Sequence, residues 1–197
     1  METKLSIAKI QKLCFDLSFQ SMQVVSSDGR SGGLGMFWKS NCNLHIQTFS
    51  PNHIDAHILP ANQQPWRITS FYGRPEGHCK HELCQLLRHL HAKSSLPWVC
   101  MGDFNEVLHS SEKHGGLPKQ LTPMLAFKEM LLHCELMDLG FHGYLFTWQN
   151  GWPSVAFVEL RLDRACANMV WQALFLTTKV FHQQVTYFDH DPILINT

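Results

Sequence analysis

The sequence lacks an excess of charge of either sign, because 16 lysine and arginine residues balance 16 aspartate and glutamate residues. Net charge therefore indicates neither a nucleic acid nor a membrane surface as the partner, and it excludes neither. Charged residues make up 16% of the chain and hydrophobic residues 45%, which is typical of a globular protein and not of a disordered one. The 197 residues are predicted to form a single domain over 1–197 with its own core.

Long apolar runs are also missing. None approaches the ~18 residues needed to span a bilayer, and Lys4, Lys9, Lys12 and Asp16 interrupt the apolar core that a secretory signal would need. The seven cysteines are an odd number without a regular framework, which predicts reduced thiols in an intracellular protein. We predict no membrane association and no obligate protein partner, and no sequence signal assigns a compartment such as the nucleus.

Apolar periodicity divides the chain into short strands with a few helices between them. Helical spacing predicts helices over residues 5–19, 76–93 and 123–134 and a shorter one over 169–175. Strands are predicted over residues 22–27, 34–40, 43–50, 53–59, 66–73, 96–105, 145–150, 158–168, 179–187 and 190–196. Glycine-containing turns, such as the one at 28–33, favour hairpins among the early strands. This order predicts an α+β or mixed α/β layered sandwich.

Polar side chains stand where several of these apolar strands end. They are Glu2, Tyr72 in "FYG", Asp103 and Asn105 in "GDFN", Asp163 in "RLDR", and Asp189 and His190 in "FDHDP". Each has an ordinary interpretation when taken alone: Asp103 as part of an Asx turn, Asp163 in a surface ion pair with a flanking arginine, and His190 as a satisfied histidine.

Taken together, these residue types match the needs of metal-assisted phosphodiester hydrolysis. Mg²⁺ prefers hard carboxylate oxygens as ligands. The reaction also needs a base that orients and deprotonates water, and a donor or phenol that faces the developing charge on the phosphoryl group. A carboxylate that accepts a hydrogen bond from a histidine raises the pKa of the imidazole and fixes its orientation. Such a histidine is suited to binding a phosphate.

The chain resembles the endonuclease/exonuclease/phosphatase superfamily, which has the DNase-I-like fold. More narrowly, it resembles the endonuclease domain of plant LINE-type non-LTR retrotransposons. The stretches that carry the resemblance are "METKLS", "GRSGGLGMFWK", "FYGRPE", "LPWVCMGDFNEVLHSSEKHGG", "MDLGFHGYLFTWQNG", "ELRLDRACAN" and "DHDPIL", in that order over residues 1–194. The resemblance implies two mixed β-sheets flanked by helices, and cleavage of DNA with Mg²⁺ or Mn²⁺ as the cofactor.

The resemblance also implies a role for each polar residue. The implied metal ligands are Glu2, Asp103, Asn105, Asp189 and His190. The implied catalytic residues are Tyr72 for the transition state, Asp103 for the attacking water, Asn105 for the phosphate and that water, Asp163 for holding the histidine, and the Asp189–His190 pair. Asn105, Thr147 and His190 are the implied substrate contacts, with Thr147 equally open to being an ordinary strand residue.

The chain departs from the family's pattern in two places. Family domains open with a strand that carries an asparagine ligand and continue through a helix before the glutamate that matches Glu2. Roughly 30 residues of such a segment have no counterpart here, so we expect an N-terminally truncated domain that lacks its first strand. Phe188 also stands where the family usually has a small polar residue.

Other interpretations remain open at this point. The domain could be an inactive remnant, or a phosphatase of the same superfamily that acts on a lipid or inositol phosphate. Cys79, His81 and Cys84 in "HCKHELC" invite a zinc hypothesis, but no second pair of ligands is near in sequence. Trp148 and Trp152 could stack on a base or simply pack in the core.

Overall fold

A computed structural model describes residues 7–28, 31–73, 79–151, 157–186 and 188–197, with the backbone alone at 27, 28, 31, 32, 79 and 80. Glu2 and Trp152 lie outside the described residues. The helices are α1 Ile7–Asp16, α2 Cys79–Lys93, α3 Leu121–His133 and α4 Met169–Leu174. The strands are β1 Ser21–Asp28, β2 Ser31–Trp38, β3 Leu44–Ser50, β4 His53–Ile58, β5 Trp66–Tyr72, β6 Trp98–Asp103, β7 Lys113–His114, β8 Met137–Asp138, β9 Trp148–Gln149, β10 Glu159–Leu160, β11 Asp163–Ala167, β12 Lys179–His182 and β13 Ile193–Asn196.

A six-stranded mixed sheet forms the centre of the molecule, in the order β3-β4-β5-β6-β11-β8. The meander β3-β4-β5 is antiparallel, in agreement with the hairpins predicted among the early strands. Strands β5 and β6 are parallel and are connected through α2, because a parallel pair requires a long crossover. Strand β11 then pairs antiparallel with β6. The carboxyl ends of β5 and β6 and the start of β11 therefore meet at one edge of the sheet.

Helices α2 and α3 cover one face of this sheet. The buried cluster between them takes Trp98 and Cys100 from β6, Leu83 and Leu87 from α2, and Met130 from α3. Alternation along β6 turns Val99 to the opposite face, where it packs with Trp171 of α4. That alternation places Asp103 on the face away from α2 and α3.

The opposite face is covered by smaller sheets. The hairpin β1-β2 packs on the central sheet through Leu34, which meets Ile54 and Tyr72. Two further small sheets, β7-β10-β9 and β12-β13, are present among the described residues, and Ile195 of β13 packs with Val99 and Trp171 on this face. Helix α1 lies on the outer side of the hairpin, with Ile10 near Gly35. The predicted layered α/β fold is confirmed, although the second layer consists of several small sheets in the part of the chain described.

Some predicted strands are shorter than their apolar patterns suggest. The pattern over 158–168 divides into β10, which pairs with β7 and β9, and β11, which pairs with β6 and β8 in the central sheet. The last strand begins at Ile193, since Pro192 has no N–H to donate to a sheet. No helix in the described ranges is long and apolar enough to cross a membrane.

Candidate active site

Three of the predicted site residues lie side by side across the central sheet. Tyr72 pairs with Asp103 between β5 and β6, and Asp103 pairs with Asp163 between β6 and β11. Directly paired residues on adjacent strands point to the same face of a sheet. The three side chains therefore form a row on the face that carries the smaller sheets. Both carboxylates are buried, and Tyr72 is 7% exposed.

His190 joins this row from the C-terminal segment. Its Nδ1–H donates to Asp163 Oδ2 at 2.8 Å, and its Nε2 lies 3.9 Å from Asp103 Oδ2. A backbone bridge between Trp148 and His190 holds the segment in place. The arrangement leaves Nε2 on the Asp103 side, while Asp163 fixes the ring through Nδ1.

The two carboxylates and the imidazole alter one another's ionisation. Burial, together with the nearby charge of Asp163, raises the pKa of Asp103 to about 7, against the opposing charge of His190. Burial by itself would lower the pKa of His190. The hydrogen bond and charge of Asp163, with the charges of Asp103 and Asp189, outweigh burial and raise the pKa of His190 above its usual value. The imidazole is therefore held towards its cationic form.

Asn105 is held between Asp103 and the loop after β5. Its backbone N–H donates to Asp103 Oδ1 and its amide to Asp103 Oδ2, each at 2.7 Å, and the same amide donates to the carbonyl of Gly73. Its φ of 52° lies in the left-handed region, which asparagine tolerates better than most residues. An added Cβ at Gly73 would lie 2.5 Å from the carbonyl oxygen of Phe104, so the two loops approach more closely than a larger residue allows.

Position 102 also requires glycine, because the backbone of β5 passes close to it. Its φ is +135°, and an added Cβ would collide with the carbonyl oxygen of Phe71. We expect Gly102→Ala to lower the free energy of unfolding by about 3 kcal/mol, because backbone and not a flexible side chain is in the way. Gly140→Ala is the matched control: its φ is +70° and its Cβ would meet nothing within 4 Å, so only about 1 kcal/mol of strain is expected. Urea unfolding measures both, and equal losses would contradict the steric argument.

Thr147 lies beneath the site. Its hydroxyl accepts hydrogen bonds from the backbone N–H groups of Leu162, at 3.0 Å, and Asp163, at 2.9 Å, and the residue is 1% exposed. The hydroxyl therefore anchors the start of β11, where Asp163 stands. These two bonds give Thr147 a supporting position at the wall of the neighbouring cleft, and substrate contact through it stays a prediction.

A cleft of about 660 Å³ adjoins the site. Asp189 and Phe188 are exposed on its wall, and the backbone carbonyl of Asp189 accepts from Gln149 N–H at 3.0 Å. The wall also includes Trp148, Tyr144 and Phe146 as aromatic residues, and Glu159 and Asp191 as further carboxylates. No lysine or arginine is among the described residues that line it. The cleft does not include Asp103 or His190 in its wall, so it is a neighbour of the row of polar residues and not the row itself.

The donor chemistry of the row suits a hard divalent cation. Asp103 and Asn105 present oxygen atoms, which Mg²⁺ prefers, and a cation would relieve the repulsion between the buried carboxylates of Asp103 and Asp163. Within the described residues, however, no group of three or more His, Cys, Asp or Glu side chains is placed to hold a metal ion. The predicted ligand Glu2 lies outside those residues, so the proposed metal set rests on chemistry and not on a complete shell. The zinc hypothesis for Cys79, His81 and Cys84 gains no support from the described side chains.

Sequence reasoning missed a set of buried ion pairs next to the site. The arginines on either side of Asp163 do not pair with it at the surface. Arg161 and Arg164 are buried and pair with Glu112 and Asp138. These partners are far apart in sequence, so no local pattern signalled them.

The layered α/β sandwich, with Asp103, Asp163 and His190 at one sheet edge, is the DNase-I-like class of fold. A family model, Endonuclease/Exonuclease/phosphatase family, matches residues 1–176, and the chain belongs to this family. The predicted resemblance is thereby confirmed at the level of the superfamily. A search of curated proteins gives no sequence match.

Solved structures support the same fold. The endonuclease domain of TRAS1, a telomere-specific non-LTR retrotransposon, superposes with a TM-score of 0.66 at 13% identity, covering 98% of this chain and 93% of that one. An endonuclease/exonuclease/phosphatase family protein from Bacteroides thetaiotaomicron gives 0.63 at 14% identity, with 95% and 78% covered. TDP2 of D. rerio, complexed with a single-strand DNA product, gives 0.58 at 14% identity, with 98% and 84% covered. At these identities the similarity concerns the fold.

Proposed function

We propose that the chain is a nuclease-like phosphodiesterase that cleaves DNA with the help of Mg²⁺ or Mn²⁺. The observation that carries the proposal is the coupling of His190 to Asp163 at 2.8 Å and its approach to Asp103 at 3.9 Å. Membership of the endonuclease/exonuclease/phosphatase family supports the same reaction class.

In this proposal His190 faces the scissile phosphate with Nε2. Asp163 accepts from Nδ1–H, so the ring cannot rotate and its positive charge is stabilised. An imidazolium at this place would neutralise charge that grows on the phosphoryl oxygens in the transition state. Tyr72, which lies next to Asp103 in the row, is proposed to assist through its phenol.

Asp103 is proposed to orient the attacking water and to accept its proton. Asn105 holds both carboxylate oxygens of Asp103, which gives the acceptor a defined direction. Asn105 is also the proposed contact for the phosphate. Asp189, exposed beside His190, is the proposed member of the final Asp–His pair.

A metal ion is proposed because the site carries several negative charges. Asp103, Asp163 and Asp189 surround a site that must accept a phosphodiester, and like charges repel in a poorly solvated place. The residues proposed to hold Mg²⁺ or Mn²⁺ are Glu2, Asp103, Asn105 and Asp189. His190, which the resemblance also implies as a ligand, is left out of this set, because an imidazolium that donates to Asp163 has no lone pair for a metal. When bound, the ion would neutralise phosphoryl charge and help to place the leaving oxygen.

A plasmid-nicking assay tests the proposal. Supercoiled DNA is expected to be nicked with Mg²⁺ or Mn²⁺ and to stay intact with EDTA. The control is the double variant Asp103→Ala, His190→Ala, and nicking no faster than this control would overturn the proposal in favour of an inactive domain. Turnover of an inositol phosphate without nicking would instead identify a phosphatase of the same family.

A further inference from the structure

We infer that a ring of four charged residues, three of them buried and Asp138 half-buried, positions the Asp163–His190 pair. The ring consists of Glu112, Asp138, Arg161 and Arg164, and we call it the charge ring. It has no direct contact with His190, so its members are positioning residues and not catalytic ones. The activity part of this inference rests on the proposed function, while its structural part does not.

The ring is closed, because each arginine binds both acids. Arg161 donates from Nη1 to Glu112 Oε1 and from Nη2 to Asp138 Oδ1, each at 2.8 Å. Arg164 donates from Nη1 to Asp138 Oδ2 at 2.7 Å and from Nη2 to Glu112 Oε2 at 3.1 Å. Two planar forks that each bridge two carboxylates fix direction as well as distance.

The ring also ties together the loops that carry the site. Arg164 donates to the carbonyl of Glu106, in the loop that follows Asp103 and Asn105, and to the carbonyl of Arg161. Glu112 accepts from the backbone N–H of Leu108 in the same loop. The Asp103 loop and the segment before Asp163 are therefore bonded to one set of side chains.

Asp163 stands between the two arginines, at the first position of β11. Arg164 pairs across the sheet with Gly102, and Asp163 pairs with Asp103. Adjacent residues of a strand point to opposite faces, so Arg164 packs toward Phe127 of α3 while Asp163 points toward His190. A shift of Arg164 on one face would therefore turn Asp163 on the other.

The energetics also favour positioning over stability as the role of the ring. Buried ion pairs often contribute no more stability than well-packed apolar residues of similar volume. The Nε–H groups of Arg161 and Arg164 are both buried and have no hydrogen-bond partner among the described residues, which is a further cost. The charge ring supplies directed hydrogen bonds to two separate loops, which apolar packing would not supply.

Glu112→Gln tests the inference, because it keeps the shape and removes one charge. Proton NMR follows the His190 Nδ1–H resonance, assigned by its loss in His190→Ala. We expect this resonance to move or broaden in Glu112→Gln. We also expect kcat for DNA cleavage to fall about 10- to 100-fold with little change in KM, since misplacement of the Asp163–His190 pair acts on the transition state.

Should Glu112→Gln fail to fold, Arg161→Lys is measured in the same way. This variant keeps the positive charge but loses the planar guanidinium fork.

Asp55→Asn is the matched control. Asp55 forms a buried ion pair with Arg67 at 2.8 Å on the same sheet, and Arg67 pairs with Trp98, about 17 Å along β6 from Asp103 at ~3.3 Å per residue. This variant is expected to lower thermal stability without changing the His190 resonance or kcat. If the ring variant behaves as Asp55→Asn does, the ring is structural only and the inference is wrong. If the wild-type chain does not cleave DNA, the proposed function fails, and the NMR comparison still decides the inference.

Discussion

Replacing His190 with alanine is expected to lower kcat for DNA cleavage by roughly 10³-fold, because positioned acid–base groups typically contribute 10²- to 10⁴-fold. The side chain is 22% exposed and is held by Asp163, so its loss removes the group that we propose to face the phosphate without opening the core. KM is expected to change less than kcat, since the imidazolium is most effective against charge that appears in the transition state. Steady-state nicking kinetics at saturating metal measure both constants.

Two further variants make this result specific. Asp163→Asn keeps the size of the side chain but removes the charge that holds His190, so a loss approaching that of His190→Ala is expected. His89→Ala removes an exposed histidine on α2 and should leave kcat unchanged. Equal activity of wild type and His190→Ala would exclude His190 from the reaction.

Replacing Arg164 with methionine is expected to lower the free energy of unfolding at neutral pH by about 3 to 5 kcal/mol, since it leaves buried charges without their partner. Arg164 is fully buried and binds both Glu112 and Asp138. Arg88→Met, the same substitution at an exposed position of α2, is expected to change stability by less than about 0.5 kcal/mol. Urea denaturation at pH 7 compares the two, and similar midpoints would contradict the argument.

The pH dependence of this loss has a defined sign. Burial alone would raise the pKa of Glu112 and of Asp138, but the bonds and charges of Arg161 and Arg164 lower the pKa of both below their ordinary values. A carboxyl group whose pKa is lowered on folding stabilises the folded state at pH values above its unfolded pKa of about 4. This stabilisation is lost as pH falls through the folded pKa. The difference between wild type and Arg164→Met should therefore be largest near neutral pH and shrink below about pH 4. A difference in stability that grows at acidic pH would contradict this argument.

The predictions from sequence succeeded where local periodicity carries the information. The apolar spacing over 76–93 predicted α2, observed at Cys79–Lys93, and the apolar run ending in a polar residue predicted β6, which ends at Asp103. The pattern over 158–168 predicted one strand where the structure has two. The division follows from the partner strands, since β10 pairs with β7 and β9 while β11 pairs with β6 and β8, and local spacing carries no sign of such partners.

By itself, the sequence determined the superfamily, the layered α/β class and the identity of the polar residues at the strand ends, since motif order and apolar periodicity are properties of the chain alone. Only the tertiary structure decided which of those residues meet. Strand register places Asp103 beside Asp163, and the return of the C-terminal segment brings His190 within 2.8 Å of a carboxylate 27 residues earlier. It also decided that the arginines flanking Asp163 face away from the site. A buried polar group can find its hydrogen-bond partner anywhere in the chain, so such pairings follow from packing and not from spacing in the sequence.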